Sequence, residues 1–181
     1  MIVTTSTVLK LSITDVPHTD PIAVYLEDQG EARGKVTITC FNDCWSYFWG
    51  AMGKGYDIRK FFLSCDVDYL AGKFRGSAPR TEPDPDKLTE KAKQHLLERR
   101  REGYIDKEKA REHYALTENL FDLWHEMNGH SEAFMDAMYA IFGDEWYERI
   151  PTKPHHQYEY LCRIVNTVKA ALEQEGDKLT A

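Results

Sequence analysis

The spacing of apolar residues changes once along this chain, and the change constrains the fold class. Through residues 5–42 it follows the two-residue repeat of extended strands. From residue 57 onward it follows the three-to-four-residue repeat of helices. Three strands are expected. Residues 5–13 carry Val8, Leu9, Leu11 and Ile13; residues 22–27 read IAVYLE; in residues 35–42, Val36, Ile38 and Cys40 point one way and Thr37 and Thr39 the other. The stretch from Asp15 to Pro21 holds two prolines and reads as a turn. DQGEARG, with Gly30 and Gly34, suits a hairpin loop. Together the three strands read as an antiparallel meander.

Helices follow. Asp57 is placed to cap the first, whose Ile58, Phe61, Phe62 and Cys65 fall on one face. A second runs from Asp66 through Phe74 with Leu70 and Phe74 inward. Residues 76–86 are rich in proline and charge and read as a linker between residues 1–75 and a helical region at 87–181, the whole packing as one domain. Asp84-Pro85 starts a helix with a thin stripe of Leu88, Ala92 and Leu96, ended by Gly103. Asp106 caps what reads as a single long helix, with Ala110, His113, Leu116, Leu120, Leu123 and Met127 on one face, stopped by Asn128-Gly129. Another starts near Ser131 with Phe134, Ala137, Met138 and Ile141. DEWYERIPTKPHH is an aromatic, proline-bearing loop. The last helix, from about His156 to Glu175, carries Leu161, Ile164, Val165, Val168, Ala171 and Leu172, with Gly176 as its stop. The expected fold is α+β: an N-terminal three-stranded antiparallel meander followed by five to six helices packed on it and on each other.

Size and composition agree with a self-sufficient core. A chain of 181 residues with 42% apolar side chains buries roughly 70% of its unfolded surface. Cys40, Cys44, Cys65 and Cys162 are therefore not needed as staples, and free thiols in a reducing cytoplasm are expected. The N-terminus lacks the pattern of a signal peptide, and no apolar run approaches a membrane span.

The net charge is −7, and it is unevenly spread: residues 104–150 hold 11 acidic against 4 basic residues. Binding to nucleic acid or to an anionic membrane needs clustered cations, so both are disfavoured, whereas a partner with a basic surface is compatible. An acidic helical surface is able to copy the phosphate pattern of DNA, although most such faces are simply solvated.

Residue patterns with chemical potential are sparse. Cys40 and Cys44 lie four apart, with Cys65 further on, but Cys40 shares a face with Val36 and Ile38, and Cys65 with Phe61 and Phe62, as small core side chains do. HEMNGH sets His125 and His130 five apart with Gly129 between them, whereas the zinc-binding HExxH helix needs four. His155 and His156 are adjacent, so their side chains diverge. Asp66 and Asp68 suit either a cation or acid–base work, or capping of a first helical turn. GAMGKG lacks the spacing and the Ser or Thr of a phosphate-binding loop. No metal, cofactor or catalytic residue is assigned, and the chain is not expected to be an enzyme. The most unusual feature is the run from Cys44 to Tyr56, CWSYFWGAMGKGY. Its Trp45, Tyr47, Phe48 and Trp49 fall at mixed spacing for a helix, so an exposed binding surface and a cover for the sheet are both open readings.

Residues 38–74, ITCFNDCWSYFWGAMGKGYDIRKFFLSCDVDYLAGKF, resemble a segment of small accessory proteins of tailed phages and enterobacterial prophages. The resemblance rests on a strand, a turn bearing Trp45, Trp49, Gly50, Met52 and Gly53, and a stretch with Phe61, Phe62, Ser64, Cys65, Asp66, Tyr69, Leu70 and Ala71. It implies a phage-borne cytoplasmic protein that acts on host or phage machinery, and it carries over no catalytic residue. The expected function is binding to a host or phage protein, with inhibition of a host defence or nucleic-acid-handling complex, as anti-CRISPR and anti-restriction proteins act, as its concrete form. The residues expected at that interface are Trp45, Tyr47, Trp49, Glu112, Glu118, Asp122, Glu126, Asp144 and Glu145. Two alternatives stand beside it. One is a nucleic-acid-binding accessory factor using the aromatic turn and the basic helix at 87–101. The other is a metal-dependent enzyme built on the histidines with Asp66 and Asp68.

Overall fold

A computed structural model of the chain describes residues 1–3, 5 and 8–180. In order, its elements are β1 (Leu9–Ile13), β2 (Ile22–Asp28), β3 (Gly34–Cys40), β4 (Asp43–Trp49), α1 (Ile58–Ser64), α2 (Val67–Phe74), β5 (Thr81–Pro83), α3 (Leu88–Arg101), α4 (Lys107–Leu116), α5 (Leu120–Met127), α6 (Glu132–Phe142), β6 (Thr152–Pro154) and α7 (His156–Thr180). Short 3-10 turns occupy Pro85–Lys87, Thr117–Asn119 and Trp146–Arg149. The chain divides into two compact units. The first comprises residues 1–80 and 155–181, and the second, residues 81–154, is a continuous insertion between α2 and α7.

The first unit is an α+β layer. Its sheet is antiparallel in the order β1-β2-β3-β4. The sheet has four strands, not the expected three, because the aromatic stretch after Asn42 is itself a strand. β3 and β4 join through Phe41 and Asn42, with Phe41 at φ +50°, the left-handed conformation that two-residue hairpins need. Residues 6 and 7 of the first expected strand lie outside the described residues. Alternation sets Ile22, Val24, Leu26, Val36, Ile38 and Cys40 on one buried face. That face packs with Ile58 and Phe62 of α1, Leu70, Ala71 and Phe74 of α2, and Leu161, Ile164, Val165, Val168 and Leu172 of α7 in a single core.

Capping sets the helix starts. Asp57 accepts from the Lys60 amide at 2.7 Å and Asp66 from the Tyr69 amide at 2.7 Å. α7 is tied to the two short helices by polar clamps. Arg59 donates to the Leu172 carbonyl and pairs with Glu175, and Lys169 donates to the Cys65 carbonyl at the end of α1. α7 also runs through Gly176, the expected stop, to Thr180.

The second unit is helical with its own core: Leu88, Ala92 and Leu96 of α3, Leu120 of α5, and Phe134, Ala137, Met138 and Ile141 of α6. The long helix expected from Asp106 is two helices. Asp106 caps α4 through the Lys109 amide at 2.8 Å, but buried Thr117 turns its hydroxyl back to the Tyr114 carbonyl at 2.7 Å. This competes with helical continuation and tightens residues 117–119 into a 3-10 turn. Asn128 then ends α5 at φ +51°. His113 is buried on the expected stripe; the side chain of Met127 lies outside the described ones.

The stretch expected as a linker is structured. Thr81 pairs with Pro154 and Pro83 with Thr152, and the Asp84 amide donates to the Pro151 carbonyl at 2.7 Å. Asp84 makes no capping bond and is buried. Its carboxylate meets Lys87 at 3.2 Å, the partner that a buried charge requires.

Two glycines of the first unit test this packing in opposite directions. A Cβ on Gly34 would lie 2.7 Å from the Ile58 Cβ and 3.0 Å from the Glu27 carbonyl. Gly34→Ala is expected to destabilise by about 1–3 kcal/mol through overpacking. Gly72, inside α2, has open space around the same position, so Gly72→Ala is expected to stabilise by about 0.5–1 kcal/mol. Urea unfolding of both variants checks the pair.

Candidate functional site

The pleat of β4 sorts the aromatic run. Trp45, Tyr47 and Trp49 project toward the helices, while Cys44, Ser46 and Phe48 project to the open face of the sheet, where Ser46 and Thr37 hydroxyls lie 2.9 Å apart. Trp49 is buried. Its ring meets Tyr47, Phe61 and Phe74 edge-on at centroid distances of 4.9, 5.7 and 5.8 Å, and its Nε1 donates to the Tyr69 hydroxyl at 3.2 Å. Trp49 is thus a core residue whose polar atom is satisfied. Trp45 and Tyr47 are half-buried and stay accessible from one side.

Around them α2 and α7 bring together side chains that are distant in sequence. The Lys73 ammonium sits between two rings, 5.4 Å from Tyr47 and 5.3 Å from Tyr69, in cation–π range of both. A cleft of about 410 Å³ is lined by Asp66, Asp68, Tyr69, Lys73, Arg75 and Arg80. A smaller hollow of about 190 Å³ takes in Asp43, Trp45, Arg75, Tyr158 and Tyr160. Arg75 borders both, and it donates to the Ala78 carbonyl, which folds the segment after α2 back on itself.

The wall of this region is a hydrogen-bonded network. Tyr158 is buried and donates to Asp68 Oδ1 at 2.6 Å. Asp68 pairs with Arg80, and the Arg80 guanidinium lies 5.2 Å from the centre of the Tyr158 ring. The Arg80 hydrogen bond, and then that from Tyr158, holds the Asp68 carboxyl below its usual range. Burial, followed by the bond to Asp68, pushes Tyr158 up to about 12. Next to it, Tyr160 Oη lies 3.2 Å from Cys40 Sγ, which donates to the Asp20 carbonyl at 3.5 Å. The bond to Cys40 and then burial raise the Tyr160 phenol. Asp68 and Tyr158 are therefore driven away from neutrality in opposite directions, where proton transfer is inefficient. Rings, cations and oriented hydroxyls are suited to recognition.

The other residues singled out in the sequence are placed as follows. Asp66 is the cap of α2 and Asp68 the acceptor of this network. Cys40 faces the core, whereas Cys44 pairs across from Thr39 on the opposite face, so the two cannot share a metal ion. His125 lies against Phe121 at 4.4 Å on α5, and His130 follows the left-handed turn that ends that helix. In the second unit Glu112 lies on α4, Glu118 in the 3-10 turn, Asp122 and Glu126 on α5, and Asp144 and Glu145 just after α6. All six are exposed. Among the described residues none of them has a Lys or Arg within ion-pair distance, and Asp144 accepts from the Tyr139 hydroxyl. Sequence reasoning missed Tyr69, Lys73, Arg75, Arg80, Tyr158 and Tyr160. The only local signal was Tyr69 and Lys73 four apart on one helix face.

Asp68→Asn removes the anionic acceptor of Tyr158. A titration of phenolate absorbance is expected to show one late-ionising tyrosine moving from about 12 toward the ordinary value near 10. The lowered Asp68 pKa stabilises the fold above the usual carboxylate range, and this stabilisation disappears as pH falls through the lowered value. Acid unfolding of Asp68→Asn is expected to lack that component.

Comparison with known proteins agrees with the phage resemblance of the aromatic strand and α1–α2. No curated protein and no solved structure matches the chain. A family model described as a phage family, Phage_phiTE_072, matches residues 1–174, which take in both units and nearly all of α7. The chain therefore belongs to this phage family.

Proposed function

We propose that this phage protein is an accessory factor that binds a protein of the host or of the phage through the acidic surface of its second unit. Inhibition of a host defence or nucleic-acid-handling complex, in the manner of anti-CRISPR and anti-restriction proteins, is the concrete form of this reading. The observation that carries it is the set of exposed carboxylates at Glu112, Glu118, Asp122, Glu126, Asp144 and Glu145, none of them ion-paired among the described residues. Residues 104–150 hold 11 acids against 4 bases, so a compact body with a separate core presents concentrated negative charge. Such a surface steers a basic partner and weakens with salt, because the screening length is about 10 Å at 0.1 M.

Affinity capture from host lysate tests this. The wild-type chain is expected to retain a specific protein. A variant carrying Glu112→Gln, Glu118→Gln, Asp122→Asn and Glu126→Gln is expected to lose it at physiological salt, at least tenfold, about 1.4 kcal/mol. Salt-insensitive capture, or capture undiminished in the variant, would remove the acidic surface from the interface.

A second reading is favoured by one feature of the first unit: Trp45, Tyr47 and Tyr69 stand beside Lys73, Arg75 and Arg80 around the larger cleft and the smaller hollow. Aromatic faces alternating with cations suit single-stranded nucleic acid. Gel retardation at low salt, with Trp45→Ala and Lys73→Gln as controls, decides it; Trp49→Ala is unsuitable because that ring is in the core. Retardation lost in both variants supports the reading, and unretarded wild type ends it.

A further inference from the structure

The acidic second unit contains a recess of the opposite sign. Between α3, α4 and the end of α6 lies a hollow of about 460 Å³, lined by Arg99, Lys109, His113, Tyr139 and Asp144 among others. Among the described residues neither Arg99 nor Lys109 has a carboxylate within ion-pair distance, despite the excess of acids in this unit. Arg99 makes only a long bond, 3.4 Å, to the Ile141 carbonyl. Asp144 is engaged by the Tyr139 hydroxyl, which that bond holds protonated to higher pH. His113 is 7% exposed, yet its Nδ1 is buried without a hydrogen-bond partner. Two uncompensated cations and an unsatisfied buried imidazole thus converge from two helices on one space.

We propose that this recess binds a phosphate group carried on a small molecule, with Arg99 and Lys109 supplying charge and His113 an N–H donor. The guanidinium fork matches phosphate oxygens, and a tetrahedral oxyanion accepts from several directions at once. The Tyr139 ring, largely exposed at the rim, offers a flat surface to the organic body attached to the phosphate. The electrostatics are consistent. Burial and then the Lys109 charge lower the His113 pKa, Arg99 acts the same way and Glu112 opposes them. A bound phosphate offsets both cations, so His113 gains affinity for a proton when the recess is occupied. The recess shares Asp144 with the exposed carboxylates of the partner surface, but its cations and imidazole are not part of that surface, and the variant that tests the partner surface leaves Asp144 in place.

The test is titration of the full-length protein, followed by the imidazole resonances of His113, with inorganic phosphate, adenosine monophosphate and adenosine. Both phosphates are expected to shift His113 and raise its pKa, and adenosine is not. Equal affinity for the two assigns recognition to the phosphate alone; tighter binding of the nucleotide assigns a share to Tyr139. Lys109→Gln, at an exposed position, is expected to weaken binding about tenfold, the loss of one charge-assisted contact. Lys107→Gln, which does not line the recess, is expected to leave it unchanged. Adenosine binding as tightly as the nucleotide overturns the proposal, as does a His113 shift reproduced by potassium chloride at equal ionic strength. Undiminished binding in Lys109→Gln overturns it too, and this variant decides the matter if Arg99→Gln fails to fold.

Discussion

The buried face of the sheet is incomplete until the end of the chain arrives. Ile22, Val24, Leu26, Val36 and Ile38 form an apolar surface, and α1 and α2 supply only two short helices to cover it. The rest of the cover is α7, whose Leu161, Ile164, Val165, Val168 and Leu172 are all buried in the same core. Each such side chain contributes about 1.5–3 kcal/mol when fully removed from water, so α7 supplies a large share of what holds the first unit together. The clamps from Arg59 and Lys169 to backbone carbonyls set where along its length α7 is held. Tyr158 and Tyr160, at the start of the same helix, reach Asp68 and Cys40. The network of Asp68, Arg80, Tyr158 and Tyr160 in the first unit is therefore assembled by the helix that closes its core.

The second unit solves the same burial problem differently. Its helices carry thin stripes, and a few large rings widen them: Phe134 meets Trp124 and Trp146 edge-on at 5.4 and 6.0 Å. A narrow core leaves a high proportion of each helix surface to solvent, and that is where the excess of carboxylates resides. The charge of this segment is thus compatible with its fold because little of it has to be buried. Asp84, the buried exception, has its lysine.

Much of this architecture was legible in residue spacing. The alternation of β2 and β3, the caps at Asp57 and Asp106, the helix start near Ser131, and the apolar faces of α3, α6 and α7 all followed from local rules that the tertiary structure respects. The fourth strand escaped because its two-residue turn, Phe41-Asn42, lacks the glycine that usually marks one, and because four aromatics in five residues look irregular when read at helical spacing. Read at a period of two, Trp45, Tyr47 and Trp49 separate cleanly from Cys44, Ser46 and Phe48. The break at Thr117 was hidden because a threonine hydroxyl returning to the preceding turn leaves the apolar pattern intact. The candidate site was less legible than the fold. Its exposed acids and Trp45 could be named in advance, but the meeting of Asp68, Arg80 and Tyr158 depends on where α7 lands, and no local pattern encodes that. Likewise Trp49 has the residue type of a binding anchor and the environment of a core side chain.

The pairing of β5 with β6 gives the insertion a property of its own. Because Thr81 lies opposite Pro154 and the Arg80 carbonyl accepts from the His155 amide at 2.9 Å, the chain enters and leaves the second unit at nearly the same point. A segment whose two ends are already stitched together is a cassette: it is exchangeable, by recombination or by design, for another segment with closely spaced ends, while the sheet and its covering helices keep their own sequence.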